Sequence, residues 1–342
     1  MKKELLMLSL LMFLVVISGC VKQEKIEEGK LTKISQPFNV SQIDIYGDKI
    51  VFINKGLRYP SEHTNSDIFL YDITSGKTIQ ITSEISRQHK PKIHGNKIIW
   101  LDSRFVANQG SDNFYMYDLS VGKEEKLFQV GYFPGEYYFY NDNLFWLDLQ
   151  GDGYWYVYNL KTKEKNRLPL NSVYWDVQGF YEYKIVGRYQ KYQNDTFVQE
   201  IFVYDLSKNS TKFISIPTAS GLSINEDKIV WTDSRNSPWH PEIILNPDIY
   251  MYDLSTEQET QITKQDTREF AKDIYGNIIV YNKNTLNVTG YIENDQLMIH
   301  DLSTGEDKVI ISSRTWYENI YGNKIVWVSY EDEKLTLHIY TI

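Results

Sequence analysis

A seven-residue phrase recurs seven times along this chain, and its spacing is the strongest constraint on the fold. The copy at residues 248–254 reads Asp-Ile-Tyr-Met-Tyr-Asp-Leu. Successive copies are separated by 46, 41, 46, 48, 48 and 40 residues. The aligned positions are Tyr71, Tyr117, Tyr158, Tyr204, Tyr252, His300 and Tyr340. A strand-forming repeat of this length predicts an array of small sheets, each built from one repeat.

A second phrase runs in step with the first, again in seven copies, and Tyr321-Gly-Asn-Lys-Ile-Val-Trp327 is a clear example. Its Gly-Asn or Gly-Asp pair predicts a tight turn between two strands, A and B. The first phrase supplies strand C, which is apolar on both faces, as a strand covered on both sides must be. A Ser-Thr-Gly turn then leads into strand D. Four strands per repeat predict an all-β fold, a seven-bladed β-propeller of four-stranded antiparallel blades.

The two ends of the repeat array complement each other. The last repeat stops after strand C at Ile342 and lacks a strand D. Residues 29–35, Gly-Lys-Leu-Thr-Lys-Ile-Ser, resemble the strand D segment at residues 76–82, Gly-Lys-Thr-Ile-Gln-Ile-Thr. We therefore predict a propeller domain over residues 31–342, in which residues 30–36 form the outer strand of blade 7 and close the ring, leaving no free edge.

The N-terminus has the parts of a secretory signal. Met1-Lys2-Lys3 precedes an apolar run over residues 5–17, which is too short for a comfortable membrane span. Residues 17–20, Ile-Ser-Gly-Cys, resemble a prokaryotic lipobox. The resemblance implies a signal peptide over residues 1–19, a diacylglyceryl thioether on Cys20, a tether over residues 20–30 and an extracytoplasmic protein held on the membrane by lipid. The alternative is an ordinary signal or membrane anchor that contains a cysteine.

Composition excludes several classes of protein. Cys20 is the single cysteine, so a disulfide framework or a cysteine-rich metal site is excluded. The net charge is −9, and removal of residues 1–19 takes away two lysines and one glutamate, a net +1, which leaves −10. A chain this acidic without a basic stripe predicts no nucleic-acid partner. Nothing in the sequence indicates a cofactor.

The repeats resemble those of TolB-like propellers and of cell-surface propellers from methanogenic archaea. The matching phrases are Gly-Asn-Lys-Ile-Val-Trp, Trp231-Thr-Asp-Ser-Arg235 and Asp248-Ile-Tyr-Met-Tyr-Asp-Leu-Ser-Thr256. The resemblance covers essentially residues 31–342 and implies the fold and a surface location. It implies little about function, because such repeats occur in unrelated proteins. TolB itself has six blades and an added N-terminal domain, so its partner role is not carried over.

The long, dissimilar loops between strands B and C are the expected binding region. At the start of strand A, eight residues before the turn glycine, three repeats carry an arginine and others an aromatic residue. A cationic arc and an aromatic arc suit an acidic glycan or a peptide carboxylate, although the arginines could instead pair with repeat carboxylates such as Asp102 and Asp233. The candidate ligand-binding residues are Arg87, Arg268, Arg314, Phe133, Tyr174, Trp175 and Trp316.

No catalytic signature is present, and we assign neither catalytic nor metal-binding residues. The copies of Asp-Ser-Arg, at residues 102–104 and 233–235, recur in two repeats and therefore indicate a structural ion pair. His63, His89 and His240 leave a three-histidine metal site open. The sequence thus favours a non-enzymatic surface module that binds a glycan, an envelope polymer or a protein. The alternatives are a propeller-based polysaccharide lyase or hydrolase, and an envelope-assembly accessory resembling TolB.

Overall fold

The computed structural model describes residues 29–34, 40–55, 66–84, 86–104, 111–132, 135–149, 151–193, 196–236, 246–286, 292–331 and 334–342. Cys20, Phe133, His63 and His240 lie outside these residues. The described residues form 28 strands in seven four-stranded sheets. No helix within these ranges is long and apolar enough to cross a membrane.

The first four blades follow each other along the chain, after the N-terminal strand. Their strands are β1 (Lys30–Ile34); β2 (Val40–Tyr46), β3 (Lys49–Lys55), β4 (Ser66–Asp72) and β5 (Lys77–Gln80) in blade 1; β6 (Gln88–His94), β7 (Lys97–Asp102), β8 (Ser111–Asp118) and β9 (Lys123–Tyr132) in blade 2; β10 (Tyr137–Tyr140), β11 (Asn143–Leu147), β12 (Tyr154–Asn159) and β13 (Lys165–Asn171) in blade 3; and β14 (Trp175–Tyr181), β15 (Lys184–Gln193), β16 (Thr196–Asp205) and β17 (Ser210–Ile214) in blade 4.

The remaining three blades have the same order of strands. They comprise β18 (Ala219–Asn225), β19 (Lys228–Asp233), β20 (Asp248–Asp253) and β21 (Gln258–Gln261) in blade 5; β22 (Arg268–Tyr275), β23 (Ile278–Leu286), β24 (Ile292–Asp301) and β25 (Glu306–Ile311) in blade 6; and β26 (Thr315–Tyr321), β27 (Lys324–Glu331) and β28 (Lys334–Thr341) in blade 7. The predicted seven-bladed β-propeller with antiparallel four-stranded blades is confirmed.

The ring is closed by the N-terminal strand. The sheet of blade 7 has the order β1-β28-β27-β26, so β1 occupies the strand D position. Its register pairs Lys30 with Thr341 and Ile34 with Leu337 in antiparallel orientation. The innermost strands contact one another around the ring, and β26 contacts β2, which joins blade 7 to blade 1. Closure from both chain ends is therefore as the sequence predicted, with the strand over residues 30–34.

The hydrophobic core lies between the blades rather than within one layer. Seven clusters of buried residues each join two neighbouring blades. Strand B of four blades contributes a tryptophan that is fully buried, and each stacks on the residue opposite it in strand C, as Trp231 does on Tyr250 at 6.0 Å. The four are Trp100, Trp146, Trp231 and Trp327. Because both faces of each blade are covered, strands B and C need apolar residues on both sides.

The turns between strands A and B explain the Gly-Asn phrase. The first turn residue has a positive φ in all seven blades, for example +61° at Gly47 and 52° at Asn141. Glycine or asparagine occupies this position in five blades because both tolerate that conformation, whereas Glu182 and Glu226 adopt it in the other two. These turns and the C–D turns lie on one face of the ring, which we call the turn face. The ends of strands B and D and the starts of strands C and A lie on the opposite face, the loop face.

Candidate ligand-binding face

The three predicted arginines lie at the start of their innermost strands, on the loop face. Arg87 immediately precedes β6, Arg268 begins β22 and Arg314 immediately precedes β26. The innermost strands of blades 6, 7, 1 and 2 contact each other in that order, so the three positions fall on one arc of the ring. Arg87 and Arg314 are exposed, and Arg268 is half-buried.

Two side chains of this arginine arc (Arg87, Arg268 and Arg314) lie over aromatic rings. The guanidinium of Arg314 lies 5.3 Å from the ring centre of Trp316, and that of Arg268 lies 5.2 Å from Phe270. The Nε of Arg268 is buried and has no hydrogen-bond partner among the described residues. An arginine fork held on an aromatic face keeps its donors available for a carboxylate or phosphate.

Asp102 and Asp233, the repeat carboxylates that the arginine arc could have paired with, form ion pairs with other arginines. The guanidinium of Arg104 lies 2.6 Å from the carboxylate of Asp102, and Arg235 and Asp233 are also 2.6 Å apart. Arg104 also contacts Glu124 on strand D at 2.8 Å, and Arg235 contacts Glu259 at 2.6 Å. Both Asp-Ser-Arg copies therefore form structural ion pairs, as their recurrence predicted, and they join the strands of one blade.

The arc is not uniformly cationic, because carboxylates lie beside Arg314. A cleft of about 380 Å³ between blades 6 and 7 is lined by seven residues. Burial raises the pKa of the Asp295 carboxyl, while a hydrogen bond from Asn284 and the charge of Arg314 act in the opposite direction. The charges of this cleft are therefore mixed. Its lining residues are Ile292, Glu293, Asn294, Asp295, Ser312, Ser313 and Arg314.

Blade 4 carries the aromatic side of the loop face. Trp175 contacts Tyr189 with ring centres 4.6 Å apart, and Tyr189 contacts Phe213 at 5.1 Å. Tyr174 lies 6.4 Å from Tyr189. Tyr174 is 45% exposed and Phe213 is 44% exposed, so the group offers apolar ring surface to solvent. We call Tyr174, Trp175, Tyr189 and Phe213 the blade-4 aromatic cluster.

A departure from the repeat creates this cluster. Strand B of blade 4 has Gly187 where the other six blades have tryptophan, phenylalanine or tyrosine, and it faces Phe202 in strand C. A side chain at Gly187 would collide with Phe202 and with the backbone carbonyl of Asp176. Trp175 packs edge-on against Phe202 at 4.9 Å, so a tryptophan from the start of strand A covers the position that strand B leaves open.

Polar groups surround the cluster and fix its loop. The side-chain oxygen of Asn171 accepts hydrogen bonds from the backbone N–H of Val173 and of Tyr174, both at 3.1 Å. Arg188 pairs with Asp176 at 2.5 Å, and Gln178 donates to the same carboxylate at 2.7 Å. Rigid aromatic surface beside oriented hydrogen-bonding groups is the usual composition of a small-molecule site.

The predicted aromatic residues do not form one group in the structure. Tyr174 and Trp175 belong to the blade-4 aromatic cluster, whereas Trp316 is in blade 7 beside Arg314. Phe133 lies outside the described residues. Sequence reasoning missed Tyr189 and Phe213, although the strand register places Tyr189 directly opposite Trp175.

Glu269 is a second residue that the sequence did not single out. It is 1% exposed between blades 5 and 6, and burial raises its pKa to about 7. One carboxylate oxygen accepts a hydrogen bond from Thr267, and the other has no partner in the part of the chain that the structure describes. Glu269 immediately follows Arg268, so a neutral carboxyl lies beside the arginine arc at low pH.

Of the three histidines that left a metal site open in the sequence, the structure describes His89. His89 is buried and lies 3.1 Å from the carboxylate of Asp112. Across the described ranges, no three His, Cys, Asp or Glu side chains form a group that could hold a metal ion.

Comparisons with known proteins identify the class of fold. No family profile matches the chain, and no curated protein is detectably similar in sequence. Among solved structures, the β-propeller domain of the Trilobed protease from Pyrococcus furiosus is 13% identical, with a TM-score of 0.64 over 90% of this chain and 94% of that one. That domain is described as having an open velcro topology, whereas β1 closes the ring here.

Two further structures are similar. An acylaminoacyl peptidase from Pyrococcus horikoshii has a TM-score of 0.66 at 11% identity, over 88% of this chain and 51% of that chain. An oligogalacturonate lyase from Vibrio parahaemolyticus has a TM-score of 0.60 at 10% identity, over 92% and 94% of the two chains. The protein is therefore a β-propeller. At these identities the likeness concerns the fold and does not extend to activity.

Proposed function

We propose that this protein is an extracytoplasmic, lipid-anchored β-propeller that binds an acidic glycan on its loop face without catalysing a reaction. The blade-4 aromatic cluster is the observation that carries the proposal. Exposed aromatic rings beside an Arg188–Asp176 pair offer a stacking surface for a sugar ring and hydrogen bonds for its hydroxyls. The lipobox at residues 17–20 and the resemblance to cell-surface propeller repeats support the location.

The arginine arc supplies the preference for acidic sugars. Arg87 and Arg314 are exposed on the same face as the aromatic cluster, on the opposite side of the ring. A polymer that crosses the mouth of the channel would stack one sugar on blade 4 and present carboxylates to the arc. Guanidinium forks bind carboxylates in a bidentate manner. A non-enzymatic role is the form of the proposal that the sequence supports, because no nucleophile elbow or phosphate-binding glycine loop occurs in it.

Binding measurements on the purified full chain in detergent test the proposal. Oligogalacturonate, the acidic glycan in the name of one structural neighbour, and a neutral glycan of equal length are titrated by calorimetry. Tyr174→Ala combined with Phe213→Ala should weaken binding of both at least about tenfold, the effect of losing roughly 1.4 kcal/mol of stacking.

Arg87→Ala combined with Arg314→Ala should weaken binding of the acidic glycan but not of the neutral one, and the effect should be larger at low salt. Lys161→Ala combined with Lys208→Ala is the matched control, because it removes two exposed positive charges from the turn face. Equal affinity of all variants for every glycan on an array, or breakdown of a bound glycan, would contradict the proposal.

A further inference from the structure

The direction of β1 determines which face of the propeller the N-terminal segment leaves from. β1 runs antiparallel to β28, and its first residue, Lys30, pairs with Thr341. Thr341 ends strand C, the point at which the other blades make their C–D turns. The chain therefore enters β1 from the turn face.

Packing fixes this point of entry. A side chain at Gly29 would collide with the ring of Tyr340 and with the backbone carbonyl of Thr341. The backbone thus passes directly against the end of strand C, at a residue that only glycine fits. At the other end of β1, Ile34 is buried in the cluster between blades 7 and 1, which holds β1 in register.

From this geometry we infer that the turn face is membrane-proximal and that the loop face is presented away from the membrane, toward a partner outside it. The inference rests on the proposed anchorage at Cys20. Eight residues separate Cys20 from Gly29, and nine chain steps span at most about 32 Å. The two faces of the propeller are separated by roughly 23 Å, the length of a strand of about seven residues at about 3.3 Å each. If the loop face were turned toward the bilayer, the segment between Cys20 and Gly29 would have to pass along the edge of blade 7. This path would take up most of its length.

On the turn face, aromatic side chains of six blades contact one another around the end of the channel. Aromatic rings surround the end of the channel there, with Tyr46 contacting His94 at 4.3 Å and Tyr321 at 4.6 Å. The ring of contacts continues from His94 to Tyr140 and on to Tyr181, and on the other side from Tyr321 to Tyr275. The arginine arc lies at the opposite end of the innermost strands, so a ligand reaches it directly from the loop face.

The charges of the turn face favour attachment by the N-terminal segment over electrostatic adhesion to acidic lipid. Three lysines that follow the A–B turns pair with an aspartate of the next blade, at distances of 2.9 to 3.3 Å. They are Lys324 with Asp48, Lys97 with Asp142, and Lys184 with Asp227. The aspartates offset the charge of these lysines, which lowers their attraction to acidic lipid.

Two valines form a matched pair of reporter positions. Val121 lies in a C–D turn on the turn face and is 70% exposed, and Val173 lies in a D–A connection on the loop face and is 71% exposed. Val121→Cys or Val173→Cys is introduced into the full chain, labelled with a donor dye and placed on vesicles that carry an acceptor on the lipid headgroup. Energy transfer should be at least about twofold higher from position 121, because the two labels differ in height by about 23 Å.

A second way of attaching the protein to vesicles tests its orientation independently of the lipid on Cys20. The same two variants are made with Cys20→Ser and with a hexahistidine tag in place of residues 1–19, and are bound to nickel-chelating vesicles. Position 121 should again transfer more energy than position 173. Equal or reversed transfer on both kinds of vesicle overturns the inferred orientation. Failure of the untagged chain to stay on vesicles, with the expected order on nickel vesicles, supports the orientation and contradicts the lipid anchor.

Discussion

At the scale of single residues, one position of the repeat holds an amide in blade 2 and an acid in blade 6. Gln88 and Glu269 both lie seven residues before the first turn residue and are fully buried. Gln88 donates to Ser86 at 2.6 Å and contacts Thr82 at 3.3 Å. Glu269 has Thr267 as its partner, and its second oxygen has none that the structure describes. Burial favours the neutral form of such a carboxyl.

Glu269 should therefore make the stability of the protein depend on pH. Glu269→Gln should remove this dependence, and Gln88→Glu should introduce it in blade 2. Burial raises the pKa of Glu269 to about 7, above its value in the unfolded chain. The folded state therefore binds the proton more tightly, and its contribution to stability is greatest below about pH 4.5 and is lost as pH rises to about 7. Glu269→Gln should stabilise the protein at pH 8 by up to about 3 kcal/mol and by little at pH 4.

Urea denaturation midpoints at pH 4, 6 and 8 measure this effect. Gln88→Glu is the reciprocal variant, and it should introduce a loss of stability with rising pH at the junction of blades 1 and 2. A Glu269→Gln variant that keeps the pH profile of the unmodified chain would show that Glu269 titrates near its ordinary pKa.

At the scale of elements, β1 is the strand whose removal should cost most for its length. It covers the outer edge of β28, and its residues differ sharply in burial. Ile34 is 8% exposed within the cluster between blades 7 and 1, while Leu31 is 49% exposed. Lys33 pairs with Glu331 of strand B at 2.5 Å. The strand therefore joins the first and last blades through packing as well as through its backbone hydrogen bonds.

Two substitutions within β1 separate these contributions. Ile34→Ala should lower the free energy of unfolding by about 2 to 4 kcal/mol, because it leaves a cavity in a buried cluster. Leu31→Ala in the same strand removes a side chain that is half in solvent and should cost well under about 1 kcal/mol. Denaturant unfolding, with hydrogen exchange of the β28 amides, measures both. Equal effects of the two substitutions would mean that β1 adheres by its backbone alone.

At the scale of the whole molecule, the C-terminus and the start of β1 lie where the other blades have a C–D turn. If residues 1–28 are omitted and Ile342 is joined to Gly29, these two residues are all that lies between Thr341 of β28 and Lys30 of β1. Two added residues would give a turn of four, the length found between β4 and β5. The ring could then be opened at another C–D turn without changing the pairing of any strand.

Circular permutation tests how much the closing strand contributes to the ring. A permutant joined in this way and opened between Lys208 and Asn209 again has one blade completed from both ends, and it should melt in a single transition close to that of the unmodified chain. A second permutant, opened after Ser215 between blades 4 and 5, has every blade built from one segment and should melt at a lower temperature. Calorimetry compares them, and a more stable second permutant would refute the role given to closure.

The sequence by itself determined the blade number, the strand order within each blade and the closing strand. These follow from local patterns: turn residues that accept positive φ, and strands that need apolar side chains on both faces. Position in the repeat also placed Arg87, Arg268 and Arg314 at the start of their innermost strands on one arc, because equal offsets from equal turns occupy equal heights in the ring.

Only the tertiary structure decided what each of these side chains meets. The carboxylates beside Arg314 and the contacts of Tyr189 with Trp175 and Phe213 join segments whose side chains differ from those at the same positions of the other repeats. The bulge in strand A likewise gives Gln42 and Lys90 a positive φ, stabilised by a hydrogen bond from the Lys90 N–H to the Gln42 side chain of the neighbouring blade. Local sequence specifies turns and strands, whereas contacts between blades depend on side chains that are distant in the chain.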